Sequence, residues 1–334
     1  MITKESIIDD KAIDLFFTTV LKGVLPKGRQ QSARYFGPAE STRASEINLD
    51  LSDSNEINEA SDYFYRKKYS FIHYTSFFNL LNILKEKKIR LYNLYGMDDK
   101  EEFELPLKTS SQKLSDYQIK EIKKKIFCFS MCETDLEFKE ESLPLWRNYA
   151  QDGKGIAIVL TFNKRYAKDW LHTMLSKVYY DKKHLEKFLK AESLYADFKS
   201  KHKLSISNFD EMFYKYYAFH KSSIYKSEKE VRLIYCEGFH SYNEPPIKYD
   251  VNSRYKKTSY IELDLEWEMP ERFRNQNFRN IRPIISIDKI IFGYRLANDA
   301  KWEIADVFNT HLRQFKNKPE IINSPLFNHF NEKE

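Results

Sequence analysis

Glycine is scarce in this chain: 8 of 334 residues, against roughly 7% in an average protein. So few glycines argue against the glycine-rich loops that let backbone close around phosphates. Neither G-x-G-x-x-G nor G-x-x-x-x-G-K-[ST] occurs. A nucleotide ligand has to be held some other way.

Hydrophobic residues make up 42% and charged residues 31%, the balance of a globular chain with a sizeable core. The longest apolar runs, such as 155–162, are about eight residues, well short of the roughly 18 that a membrane span needs. The opening MITKESIIDD has acids where a secretion signal has a basic start and an apolar run. Three cysteines, Cys128, Cys132 and Cys236, suit a reducing compartment. The expectation is a cytoplasmic protein. The net charge of +6 is compatible with an anionic ligand but does not require nucleic acid, because acids and bases are interleaved.

Apolar periodicity predicts a helix over 8–23 and a loose extension to about residue 60. It then predicts strands at 69–73, 89–92, 126–131, 155–162, 176–180, 230–236, 259–264 and 287–292. Helices are expected at 76–87, 111–124, 143–150, 164–174, 183–200, 208–223 and 298–309. Without strict βαβ alternation this is an α+β domain over 61–310, with a helical insertion at 183–223 and a C-terminal tail at 311–334.

Several groups of residues invite chemistry. His73-Tyr74-Thr75-Ser76 ends a strand just before a helix, where exposed N–H groups favour an anion or a ribose; the plainer reading is a cap with a satisfied histidine. Ser227-Glu228-Lys229-Glu230-Val231-Arg232 opens a strand, and alternation lines Glu228, Glu230 and Arg232 on one side. Paired carboxylates raise each other's pKa and can do acid–base work, though a solvated edge with an internal ion pair is the alternative. Trp146 and Tyr149 share a helix face, as a stacking platform or as core. Phe127-Cys128-Phe129-Ser130 delivers a serine to a strand end. The acidic turn Met97 to Glu104 suggests either a helix start or a metal site using Asp98, Asp99 and Glu101 with Glu230. Arginine and phenylalanine alternate from Arg272 to Arg282, as single-stranded nucleic-acid binders do.

Taken in order, His73-Tyr74-Thr75, the acidic turn, Cys128-Phe129-Ser130, Leu145-x-Trp146-x-x-Tyr149-Ala150, Glu228-Lys229-Glu230-x-Arg232-Leu233 and Ile290-Ile291-Phe292-Gly293 form a series. It resembles the bacterial family of unknown function DUF2971 over roughly 69–293. That family is similar to the ADP-ribosyltransferase superfamily, which grips NAD without a glycine-rich loop. Val231 departs from the family's usual aromatic, and Met97-Asp98-Asp99 from its Asn-Asp-Pro turn.

The resemblance implies a split mixed β-sheet of ADP-ribosyltransferase type with added helices, and NAD as co-substrate with no metal. It implies Glu230 as catalytic acid, Glu228 orienting the acceptor, and His73 on a ribose. Tyr74, Thr75 and Ser130 would complete the ribose and amide contacts, Trp146 or Tyr149 would stack on nicotinamide, and Lys221 and Arg232 would hold phosphates. Transfer of ADP-ribose to a macromolecule, protein or nucleic acid, or hydrolysis of NAD is the expected activity, in a defence or toxin effector. A non-catalytic nucleotide- or nucleic-acid-binding protein and a metal-dependent nuclease are the alternatives. The first reading requires His73, Ser130 and Glu230 to converge in one pocket, with the Glu230 pKa raised.

Overall fold

The computed structural model describes residues 46–48, 62–97, 103–110, 113–136, 142–164, 170, 173–202, 205–207, 214–237, 245–251, 257–267 and 282–327. The elements run β1 (Glu46–Asn48), β2 (Ser70–Thr75), α1 (Phe77–Glu86), β3 (Lys88–Asn93), α2 (Glu104–Thr109), α3 (Asp116–Lys125), β4 (Ile126–Glu133), α4 (Leu143–Tyr149), β5 (Ile156–Phe162) and β6 (Thr173–Lys177). They continue with α5 (Lys182–His202), β7 (Ser205–Ser207), β8 (Glu230–Cys236), β9 (Lys248–Val251), β10 (Lys257–Asp264), β11 (Ile285–Phe292), α6 (Asn298–Leu312) and β12 (Glu320–Asn323). The architecture is α+β, built on one 10-stranded mixed sheet. Among the described residues, β11–β12 is its one parallel strand pair.

The sheet forks at β4. Strand β8 pairs along one whole edge, from Ile126 to Cys132. The other edge is shared: β3 pairs at Phe127 and Cys128, and β2 at Cys132 and Glu133. Between these pairings, at 129–131, the branches separate. His73 reaches into the gap, where its Nδ1 donates to the Ser130 carbonyl at 2.9 Å.

Local chemistry explains the elements that sequence reading located. Ser76 caps α1 by accepting from the Asn79 N–H, and Leu80 and Leu84 are fully buried. A capping box between Ser115 and Gln118 starts α3 five residues later than its polar pattern suggested. Four readings are corrected. Thr173 and Met174, expected in a helix over 164–174, already belong to β6, so the strand expected at 176–180 lies at 173–177. Of the helix expected at 208–223, residues 214–217 are helical among those described, and Ser223–Glu228 form a 3-10 turn. In the loose N-terminal stretch, Glu46–Asn48 pair in parallel with Ser205–Ser207. Within the tail, Glu320–Asn323 form an edge strand on β11. The helix expected at 8–23 lies outside the described residues.

Strand alternation divides the sheet into two faces. One carries Phe71, Phe129, Met131, Val231 and Leu233 into the largest core, closed by Leu80 and Leu84 of α1 and Phe308 and Leu312 of α6. The opposite face holds two smaller cores. One gathers Ile72, Tyr74, Cys132 and Trp146, the other Cys128, Ile234, Tyr63, Phe188 and Tyr217. Along β4, Cys128 belongs to one, Cys132 to the other, and Ser130 lies between them.

The described glycines are placed where a side chain does not fit. A Cβ on Gly293 would come 2.1 Å from the Gly153 carbonyl oxygen, and Gly153 itself has a φ of +80°. This junction ties the end of α4 to β5 and β11 through backbone bonds from Gly293 to Gly155 and from Arg295 to Gly153. It thereby fixes the helix that presents Tyr149. Among the described residues no helix is long and apolar enough to cross a membrane.

Candidate functional site

The interval between the two smaller cores is filled by charge. Glu230 faces Cys132 across the β4–β8 ladder, and Arg232 faces Ser130 on β4 and Ser176 on β6. Arg232 is fully buried. Its Nε and a terminal nitrogen donate to the two oxygens of Glu230 at 2.7 and 3.0 Å, and its other terminal nitrogen donates to the Ala218 carbonyl at 2.5 Å. This is the bidentate geometry in which an arginine holds a carboxylate most firmly. Lys221 Nζ lies 3.4 Å from Glu230 Oε2 and 2.8 Å from Glu228 Oε2. The Tyr149 hydroxyl donates to Glu228 Oε1 at 2.7 Å.

The chain reaches this arrangement by a sharp turn rather than a continuous strand. The 3-10 turn ends at Glu228, and Lys229 adopts a left-handed conformation with φ 43°. Glu228 is therefore not a strand neighbour of Glu230, as alternation suggested; the kink at Lys229 brings both carboxylates to Lys221. Lys221 is set by backbone pairing of 219–221 with Tyr179. The Glu230 N–H donates to the Tyr180 hydroxyl at 3.0 Å. Tyr180 and the Ala218 carbonyl belong to no motif, and no signal in the sequence pointed to them.

Electrostatics overturn the expected rise in the Glu230 pKa. Burial pushes that carboxyl up, but the Arg232 and Lys221 charges and hydrogen bonds from Arg232 and Ser130 outweigh it, holding the value at about 2. Burial and the nearby Glu230 and Glu228 carboxylates push the Cys132 thiol well above its ordinary range. Burial, then the Glu228 bond and charge, raise the Tyr149 phenol.

The expected site residues divide between the faces. Tyr74, Ser130, Glu230 and Arg232 share one face, and Trp146, Tyr149, Lys221 and Glu228 reach that side from the segments packed on it. His73 and Thr75 point the other way, because β2 alternates and Ile72 is the residue that faces Cys132. The His73 ring packs on Phe129 with centroids 4.4 Å apart, and burial lowers its pKa, partly offset by the Ser130 carbonyl. The expected pocket shared by His73 and Glu230 is therefore split by the sheet. Trp146 is fully buried, edge-on to Tyr74 at 5.1 Å, so its ring is core and not a stacking surface. Tyr149, 48% exposed, is the aromatic that a ligand can reach. Arg232 spends its donors on Glu230 and Ala218, which corrects its expected role on a phosphate, and Lys221 is likewise buried against carboxylates.

Residues 145–233 match the family model described as Protein of unknown function (DUF2971). The matched segment begins on α4 and ends in β8, so it contains Trp146, Tyr149, Lys221, Glu228, Glu230 and Arg232 and leaves His73 and Ser130 outside. No curated protein and no solved structure matches the chain. Asp98, Asp99 and Glu101 lie outside the described residues, as does the arginine–phenylalanine stretch up to 281. Arg282 is described and lies 3.8 Å from Asp264. Among the described residues, no group of three or more His, Cys, Asp or Glu is placed to hold a metal ion.

Proposed function

We propose that this protein is an ADP-ribosyltransferase-like enzyme using NAD as co-substrate, in which Glu228 is the carboxylate that meets the ligand. In this reading Glu230, Lys221 and Arg232 are positioning residues. The observation that carries it is the place of Glu228, at the outer end of a buried charge network, with one oxygen fixed by Lys221 and the other held by the hydroxyl of half-exposed Tyr149. A ribose hydroxyl can replace the Tyr149 hydroxyl on Oε1 without leaving any buried charge unpaired, and the exposed phenol ring offers a stacking face. When the bond between ribose and nicotinamide breaks, positive charge develops on the sugar, and a carboxylate already fixed by Lys221 stabilises it without reorganising. The catalytic role expected of Glu230 thereby passes to Glu228, because Arg232 occupies both Glu230 oxygens.

Nicotinamide release from NAD, followed by chromatography, tests the proposal. Glu228→Gln is expected to slow release by about 100-fold or more, in a variant whose near-ultraviolet dichroism matches the parent's. Release at the parent rate in that variant would exclude Glu228. The same full occupancy of Glu230 favours a second reading, a non-catalytic binding protein in which the network is purely structural. That reading predicts no release of nicotinamide from the parent protein.

A further inference from the structure

A second concave site lies on the far edge of the β6 branch, where the segment from Asp62 to Lys67 crosses β6. It encloses a cavity of about 410 Å³, within the range of small-ligand sites. Its position follows from a backbone bond between the Tyr65 N–H and the Leu175 carbonyl, which holds the crossing segment against the strand. Aromatic rings and positive charge line it together. Tyr65, Tyr179 and His184 supply rings, and Arg66, Lys67 and Lys177 supply cations. Among the described residues Asp62 is the one lining carboxylate, and Lys187 already neutralises it at 2.6 Å from outside the cavity. Lys67 is shared with Glu133 at 2.9 Å. Lys177 lies over the Tyr179 ring, 4.8 Å from its centroid.

His184 is the unusual member. It stacks on Tyr179 with centroids 3.5 Å apart and planes 11° from parallel. Both of its ring nitrogens are shielded from solvent and neither has a hydrogen-bond partner. The nearest carboxylate oxygen, on Asp62, is 3.8 Å from Nε2, beyond hydrogen-bond reach. Shielded polar atoms are nearly always satisfied, so an unpaired imidazole in the wall of an aromatic, cationic cavity marks a place for a ligand atom.

We propose that this cavity binds a phosphate monoester carried on a flat ring, of the nucleoside monophosphate class, with Lys177 and Arg66 on the phosphate and His184 donating to it or to the sugar. The cations favour a doubly charged monoester, and the size and the rings favour more than a bare phosphate. This site is separate from the Glu228 network.

Titration calorimetry of the full chain with AMP, UMP and inorganic phosphate, at two salt concentrations, is the test. The expected result is saturable binding of a nucleotide that weakens as salt rises, with phosphate alone at least about tenfold weaker. Lys177→Ala and His184→Gln are each expected to weaken nucleotide binding about tenfold or more, whereas Glu228→Gln leaves it unchanged. A near-ultraviolet dichroism spectrum matching the parent's certifies that each variant is folded. Nucleotide binding that survives both cavity substitutions, or vanishes in Glu228→Gln, would overturn the site. Phosphate binding as tight as the nucleotide's would overturn the ligand class, and absence of binding at millimolar concentration would overturn both.

Discussion

The charged network around Glu230 and the imidazoles around His220 are neighbours, joined where 219–221 pair with Tyr179, yet the same burial leaves them in opposite charge states. Glu230 sits between Arg232 and Lys221 and keeps its charge, with a pKa of about 2. His220 accepts or donates a single bond with the Tyr63 hydroxyl at 2.8 Å, and its Nδ1 has no partner. Burial, reinforced by the neighbouring His184, lowers its pKa to about 3. Burial likewise takes His184 to about 4. A buried group stays charged here only where opposite charge is fixed beside it; surrounded by tyrosine and phenylalanine, it gives up its proton.

The most severe way to break this contrast is to remove the fixed partner. Arg232→Met leaves Glu230 buried against Lys221 alone, and is expected to cost about 3–5 kcal/mol in urea denaturation. Replacing both partners, in Arg232→Met with Glu230→Gln, removes the stranded charge and is expected to restore part of that loss. A double variant no more stable than Arg232→Met would show that packing, and not charge compensation, sets the cost.

Acid sharpens the same contrast by separating the two regions. His220 is neutral in the fold and takes a proton on unfolding below its ordinary pKa of 6.5, so stability falls as pH drops from about 6.5 toward 3. Between pH 6.5 and pH 5 this one group removes about 2 kcal/mol, and His184 adds to the loss in the same window. Glu230 behaves in a lower window: its contribution is complete above its ordinary value of 4.5 and is lost as pH falls toward 2. His220→Gln keeps a partner for the Tyr63 hydroxyl and is expected to flatten the upper window while leaving the lower one. Denaturation midpoints at pH 7, 5 and 3 measure both; an unchanged fall between pH 7 and pH 5 would count against His220 as its source.

The sequence made the strands legible because apolar runs such as 126–131, 155–162 and 230–236 repeat their pattern within a few residues. Glu228, Glu230 and Arg232 were visible as one group for the same reason, although the kink at Lys229 that joins them was not: nothing marks a lysine for a left-handed conformation. The side of the sheet on which His73 lies was equally hidden, since it depends on Ile72 meeting Cys132 across a ladder 60 residues away in sequence. The fork at β4 explains why a strand-by-strand reading placed His73 and Glu230 together. Both lie near Ser130, but one bonds its carbonyl and the other its side chain. Edge strands such as 248–251 and 320–323 have exposed or half-exposed patterns and carried no signal.

The smallest effect concerns the outer end of the network. Tyr149→Phe removes one hydrogen bond to Glu228 Oε1 and nothing else, because the ring and its packing remain. An intramolecular hydrogen bond contributes about 0.5–1.5 kcal/mol net, and more when the group left behind is sealed from water. Tyr149 is half-exposed, so water can reach the vacated oxygen, and a loss of about 1 kcal/mol or less is expected in denaturation. That outcome would place the boundary between compensated interior and exchangeable surface at Glu228 Oε1, where a ligand hydroxyl can substitute. A loss of about 3 kcal/mol would mean that the phenol closes a sealed network. Glu228 would then belong, with Glu230, to the interior, and the contrast between fixed and exchangeable partners would have to be drawn farther out than Tyr149.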